Sequence, residues 1–406
     1  MMTNSLSARH CEAPDEIRQR SNLPSTPQPA EIASSSAALT PRNDFAPMCS
    51  QHNNFRYFCT MPNVSPSKVI KPRIVVSLGD FNGISYEIVL KALRRREVQA
   101  MADYTLIGSM EALGEWGKRL AMPAGFPLTI PNAGVLDVTG DTKARRARSV
   151  TIQVAPGKPT RISGMIAARA IDVAARICME GNADALVTAP IAKEALRKAG
   201  VPFNGHTDML QFIAQSRTVT MILLSPRMRV ALATVHVQLK RAPALLTKKL
   251  ILGKLRDLNH TLRIDFASQN PRIAVLGVNP HAGERGMFGD EEKKVVAPAI
   301  HAAQKEGVLA EGPFPADGFF ARWKPMKYDA ILAMYHDQGL IPLKMDARNE
   351  GVNFSANLPF VRTSPDHGTA FDIAGKNIAK EESFIEAIKV ALQISHNRNL
   401  AYGQIQ

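Results

Sequence analysis

Cysteine is scarce in this chain. The 406 residues hold four, Cys11, Cys49, Cys59 and Cys178, three of them before residue 72 and none in a C-x-x-C pair. That excludes a disulfide framework and a zinc ribbon, and it fits a reducing cytoplasm. Aromatic side chains make up only 6% of the composition. With no stacking platform and with basic residues mostly scattered, no nucleic-acid partner is expected. No apolar run approaches the ~20 residues that span a bilayer, so no membrane partner is expected either. The glycine pattern G-x-G-x-x-G is missing from both glycine-containing turns, 79–83 and 363–375, which leaves a Rossmann dinucleotide site unsupported. There is no internal repeat.

What is present is charge and a division of character. Net charge is +14, and the first 71 residues carry 7 Lys+Arg against 5 Asp+Glu, so about +12 lies in the body. A basic body suits a phosphorylated substrate and a dinucleotide as well as it suits polyanions. The first 71 residues also hold 10 Ser and 8 of the 27 Pro, without apolar periodicity. Such a segment cannot bury enough surface to offset its chain entropy, so residues 1–71 read as a disordered extension, with Met61 the more natural start.

Beyond it the pattern is α/β. Arg73-Ile-Val-Val-Ser-Leu reads as a buried strand, Gly79-Asp-Phe-Asn-Gly83 as a turn, and the stretch from Ser85 as a helix with Ile88, Val89, Ala92 and Leu93 on one face. Residues 163–181 form an amphipathic helix, with Ser163 a plausible N-cap and Gly181 a stop. Helices are also predicted over 191–199 and 384–395, and strands over 103–108, 185–190, 219–224, 229–235, 273–278 and 329–334. The whole implies a large mixed sheet.

Three of those strands end in histidine. His236 closes Arg229-Val-Ala-Leu-Ala-Thr-Val, His281 follows Ile273-Ala-Val-Leu-Gly-Val-Asn-Pro, and His336 follows Ala330-Ile-Leu-Ala-Met-Tyr. Ligands bind beyond the carboxyl ends of strands in open α/β sheets, and three imidazoles there can converge on one divalent metal. Each could instead cap a strand end by hydrogen bonding. Gly205-His206-Thr207 presents two hydrogen-bond donors suited to a phosphate or carboxylate, although Thr207 could also cap a helix. Asp317 sits in a Pro/Gly turn, where a lone Asp is commonly a turn former. Lys344, Asn353 and Arg362 follow His336, and a guanidinium fork matches a phosphate or carboxylate two-pronged.

Gly205-His-Thr, Asn279-Pro-His-Ala-Gly-Glu, Gly312-Pro-x-Pro-Ala-Asp, Ala333-Met-Tyr-His-Asp-Gln-Gly-Leu, Gly351-Val-Asn and Leu358-Pro-Phe-Val-Arg-Thr-Ser-Pro-Asp-His-Gly-Thr-Ala-Phe-Asp-Ile-Ala-Gly stand here in one order. From about Arg73 onward the chain resembles the 4-hydroxythreonine-4-phosphate dehydrogenase family of pyridoxal phosphate biosynthesis. The resemblance implies the two-lobed, non-Rossmann α/β fold of isocitrate and isopropylmalate dehydrogenases, with the active-site cleft between lobes. The expected lobes are residues 72–198 with 375–406, and residues 199–374, the latter carrying the metal and substrate motifs. It implies His236, His281 and His336 as metal ligands, drawn from both subunits of a homodimer. His206, Thr207, Lys344, Asn353 and Arg362 would hold the substrate, with Asp317, Asp337 and Lys344 as acid/base candidates. The 363–375 loop resembles the cofactor loop of those dehydrogenases, which makes His367, Gly368 and Asp372 candidates for NAD or NADP. The metal would be zinc, or magnesium or cobalt.

The implied reaction is NAD(P)-linked oxidation of 4-phosphooxy-L-threonine at C3, followed by decarboxylation to 3-amino-2-oxopropyl phosphate. Alternatives are a related dehydrogenase of a phosphorylated four-carbon sugar acid or of a carboxylated dihydrodiol, and a phosphate acyltransferase. Two stretches depart from the family pattern. The usual Thr-Pro-Gly-Asp-Pro-Ala-Gly-Ile-Gly-Pro-Glu is here Ser77-Leu-Gly-Asp-Phe-Asn-Gly-Ile-Ser-Tyr-Glu87, and Met345 to Glu350 lacks the usual glycines.

Overall fold

The computed structural model describes residues 71–139, 152–323 and 327–403. The expected N-terminal extension, except its last residue, and the basic run Lys143 to Arg148 lie outside them.

Among the described residues eleven strands make one sheet: β1 (Arg73–Ser77), β2 (Asp103–Gly108), β3 (Ala133–Asp137), β4 (Ala185–Thr188), β5 (Thr220–Leu224), β6 (Arg229–Leu232), β7 (Arg272–Leu276), β8 (Leu309–Phe314), β9 (Ala330–Ala333), β10 (Val352–Ala356) and β11 (Val361–Pro365). Their order is β3-β2-β1-β4-β11-β10-β5-β6-β9-β7-β8. Pairing is parallel from β3 through to β11 and again from β6 to β8. Between these blocks, β10 runs antiparallel to both β11 and β5, and β5 antiparallel to β6. The mixed α/β sheet expected from the sequence is therefore what forms. Its parallel strands read as short continuous apolar runs because helices cover them, as in Ile74, Val75 and Val76 and again in Ile331 and Leu332, all buried.

The Arg161–Met179 helix packs on β1, β2 and β4, and the Glu382–Gly403 helix on β11, β4 and β10. The first begins two residues earlier than predicted. Thr160, not Ser163, is its N-cap; Ser163 is the third helical residue, and the two exchange side-chain and backbone hydrogen bonds as a capping box. Gly181, with φ of +72°, follows its end.

Strands β6, β9 and β7 are parallel neighbours in that order, so their carboxyl ends lie side by side. Each stops short of its histidine, at Leu232, Ala333 and Leu276. Four strands, β3, β8, β10 and β11, were not predicted from the sequence, and β8 and β11 run into the stretches read as a turn at 312–318 and a loop at 363–375. The Thr363 to Gly375 segment is a correction of that kind: its first three residues complete β11 in the middle of the sheet.

Candidate functional site

A cleft of about 760 Å³ opens where β4, β11, β10 and β5 meet. His206, Thr207, Lys344, Asn353 and Arg362 all line it, and so do His236, His336, His367 and Gly368. Residues named from separate motifs, more than 150 positions apart, thus share one space.

Arg362 is its most informative member. It sits on β11 between β4 and β10, and it is 1% exposed. Its Nε and Nη2 donate to Thr188 Oγ1 at 3.2 and 2.6 Å, and Nη1 donates to Ser355 Oγ at 3.0 Å. Among the described residues no carboxylate pairs with it. Burial pushes its pKa down to about 9, so it stays charged near neutrality. An unpaired buried charge costs several kcal/mol, part of which these hydrogen bonds offset and the rest of which a bound anion would offset. Thr188 and Ser355, which aim the fork, went unread in the sequence; Thr188 was visible only as a polar end to the apolar run Ala185-Leu-Val.

His206 and Thr207 open the His206–Ile213 helix rather than standing in a free turn, and Thr207 makes no side-chain cap. Burial, and then the charge of Arg362, hold the His206 imidazole well below its ordinary pKa, so the ring is neutral. Its Nε2 and the Oδ1 of Asn353 are both sealed from solvent, with no hydrogen-bond partner among the described residues. Such atoms are costly unless a ligand completes them. Lys344 reaches the same space from the His336–Ala347 helix, its Nζ 4.0 Å from Asp366 Oδ2. Lys193, Asp208 and Asp366 also line the cleft and were not singled out from sequence.

The rings of His236 and His336 stand 5.7 Å apart. His336 Nδ1 lies 2.7 Å from Asp337 Oδ1, an orienting contact that leaves Nε2 free. Asp337 itself is 74% exposed. Burial, then the charges of Lys193 and His336, lower the pKa of His236, which favours the neutral ring that binds metal.

His281 does not join them within one chain. Its loop, Pro280–Gly286, turns through positive φ at His281, Ala282, Glu284 and Arg285, between 38° and 58°. Non-glycine residues there are strained. Glu292 holds the loop's entry, its Oε1 accepting from the backbone N–H of Val278 and Asn279 at 2.6 and 2.7 Å. The Ala316–Ala321 helix, carrying an exposed Asp317, packs beside that loop. Among the described residues no three His, Cys, Asp or Glu side chains group as a metal site. His236 and His336 thus stand together without a third such side chain from the described residues, while His281 lies exposed on a separate loop beside the helix that carries Asp317.

The cofactor candidates divide. His367 and Gly368 line the cleft, and a Cβ at Gly368 would stand in open space, so a ligand can approach the backbone there. Asp372 is exposed and outside the lining. Where the family's glycines are missing, Arg348 adopts φ of +52° to end the His336–Ala347 helix, a conformation that glycine takes without cost.

Residues 100–391 match the family described as "Pyridoxal phosphate biosynthetic protein PdxA". The chain is 42% identical over 348 residues to 4-hydroxythreonine-4-phosphate dehydrogenase of Geobacter metallireducens, covering 84% of this chain and 99% of that one. It is 37% identical over 331 residues to a provisionally named D-threonate 4-phosphate dehydrogenase of Oceanobacillus iheyensis, covering 80% and 98%. The crystal structure of 4-hydroxythreonine-4-phosphate dehydrogenase from Klebsiella pneumoniae matches with a TM-score of 0.69 at 35% identity, covering 81% of this chain and 99% of that one. With the family match spanning most of the described body and the relatives covered almost end to end, the chain belongs to the pyridoxal phosphate biosynthetic protein PdxA family.

Proposed function

We propose that this protein oxidises 4-phosphooxy-L-threonine at C3 with NAD or NADP and releases 3-amino-2-oxopropyl phosphate after decarboxylation, as a step of pyridoxal 5'-phosphate formation in the cytoplasm. The observation that carries the reading is Arg362, a buried guanidinium that among the described residues pairs with no carboxylate, facing a cleft that also holds two polar atoms without partners among them. Arg362, His206, Thr207 and Asn353 grip the phosphate end by directed hydrogen bonds, and Lys344 adds a mobile positive charge. In this reading the cleft separates a lobe of residues 72–198 with 375–406 from one of residues 199–374.

His236 and His336, joined by His281 of a second copy, would hold a divalent metal, zinc before magnesium or cobalt, whose charge polarises the C3 oxygen for oxidation and the ketone for loss of carbon dioxide. Asp337 fixes the His336 ring and accepts the hydroxyl proton, while the Lys344 ammonium is placed to return a proton to the enolate left by decarboxylation. Asp317 travels with His281, so the same second copy would bring both. His367 and Gly368 face the nicotinamide dinucleotide.

The test is the absorbance of reduced nicotinamide with 4-phosphooxy-L-threonine, with and without chelator, beside D-threonate 4-phosphate as competitor substrate. Chelator-sensitive reduction with the amino acid preferred is expected; preference for the threonate would move the chain to the sugar-acid reading. The shared site has its own test. His281→Ala and His336→Ala subunits should each be inactive. Mixed and reassociated, they should regain about one quarter of parental activity, since half the dimers then hold one intact site. No recovery in confirmed mixed dimers would place all three histidines in one chain's site.

A further inference from the structure

We infer that Asn82 is a positioning residue for the dinucleotide loop, clasping the opening turn to the segment on which that loop rests. The inference rests on the nicotinamide reading above and extends it to a residue outside the cleft. Asn82 is fully buried. Its Nδ2 donates to the carbonyl of Lys158 at 2.9 Å and to Thr160 Oγ1 at 3.3 Å, and its Oδ1 accepts from the N–H of Ala155 at 2.8 Å. Its own carbonyl accepts from the N–H of Gly157 at 2.8 Å. One side chain and one peptide thereby fix the whole 155–160 segment against the 79–84 turn.

That segment is the bed of the loop. A Cβ at Gly157 would lie 3.1 Å from the Phe371 carbonyl oxygen, and one at Gly375 would lie 3.0 Å from Pro156 Cβ. From the other side the N–H of Ile84 donates to the Thr369 carbonyl at 3.0 Å, and a Cβ at Gly83 would come within 2.7 Å of Thr369 Cβ. Residues 369–375 are therefore held between the turn and the segment at backbone distance. A small change in the spacing of these two must move the loop, and with it His367 and Gly368 at the cleft. The family's opening pattern has Ala where Asn82 stands and Pro where Phe81 stands. Proline presets φ and stiffens a turn, whereas here the turn draws its rigidity from side chains: those of Asn82, of Trp116, whose Nε1 donates to the Phe81 carbonyl at 2.7 Å, and of Ser85, whose Oγ donates to the Pro190 carbonyl at 2.7 Å.

The experiment uses the full chain and two variants, Asn82→Ala and the isosteric Asn82→Asp, which keeps an acceptor for Ala155 but loses both donors. NADH and NADPH are titrated by nucleotide fluorescence, 4-phosphooxy-L-threonine by calorimetry without nucleotide, and hydrogen exchange is followed over 155–160 and 367–375. Both variants should weaken nucleotide binding about five- to tenfold, as expected for loss of one or two buried hydrogen bonds. Exchange should quicken in both segments, with phosphorylated-substrate affinity held within about twofold. Parental nucleotide affinity in either folded variant would overturn the inference. So would faster exchange confined to 155–160, or an equal loss of both ligands. If the parent binds neither nucleotide, the nicotinamide reading fails instead, and exchange over 367–375 alone decides whether Asn82 holds the loop.

Discussion

Two corners of this molecule bury a guanidinium, and they do so in opposite ways. Arg398, on the last helix, donates from Nε to Asp265 Oδ1 at 2.6 Å and from Nη1 to the Leu358 carbonyl at 3.2 Å; the Asp265 side chain is 4% exposed. Arg362, more deeply buried, meets only the hydroxyls of Thr188 and Ser355 among the described residues. The first charge is answered within the fold, so it ties the last helix to the chain. The second is answered by neutral oxygens that aim it and leave its charge over. A buried cation without its anion, beside polar atoms without partners, is the arrangement a site for an anionic ligand presents, and the proposed function rests on it.

This contrast breaks most readily at Arg362. Arg362→Ala should lower kcat/KM for the phosphorylated substrate by about a hundred- to a thousandfold, the range for truncating one member of a buried charge pair. Its Tm should hold or rise, because an uncompensated buried charge has been removed. A large fall in Tm with normal kcat/KM would make Arg362 structural.

Arg398→Ala should do the reverse. It strands a buried carboxylate, so stability should fall by about 3 kcal/mol, read by denaturant unfolding, with kcat/KM of the folded fraction unchanged. A KM change here without a stability loss would erase the distinction between the two corners.

A third buried charge sharpens the comparison with pH. Asp80 is fully buried and accepts from the N–H of Asn82 at 2.9 Å and from Ser163 Oγ at 3.0 Å. Burial outweighs those bonds and raises its pKa to about 6. The folded chain therefore holds this proton more tightly than the unfolded one. Asp80's contribution is fully present below about pH 4 and is lost as pH climbs through 6. Asp80→Asn carries an uncharged amide at every pH, so its stability relative to the parent should improve by up to about 3 kcal/mol between pH 4 and 7.5. Parallel stability curves for the two proteins would show that Asp80 is charged at little cost.

Much of the site was legible because its residues lie in compact motifs: His206 and Thr207 in one, Lys344, Asn353 and Arg362 downstream of His336, and all five line the cleft. The strands that carry two of them were not legible. Asn353 on β10 and Arg362 with Thr363 on β11 interrupt the apolar alternation that marks a strand, because those positions answer to the cleft and to helix contacts such as Thr363 Oγ1 donating to the Ala387 carbonyl. Three adjacent strand ends suggested that His236, His281 and His336 converge. Two do, while the third is turned aside by a left-handed loop that Glu292 secures from the following helix. Asn82 read only as a turn residue, since its partners lie 73 to 78 positions away.

The central claim, that the cleft is built around an anion met by Arg362, is tested most directly by calorimetry. 4-Phosphooxy-L-threonine and unphosphorylated 4-hydroxy-L-threonine are each titrated into the parent and into Arg362→Lys. The parent should bind the phosphorylated compound at least about a hundredfold more tightly, and Arg362→Lys should lose most of that margin. Equal affinity of the parent for the two compounds, or an undiminished margin in Arg362→Lys, would contradict the account.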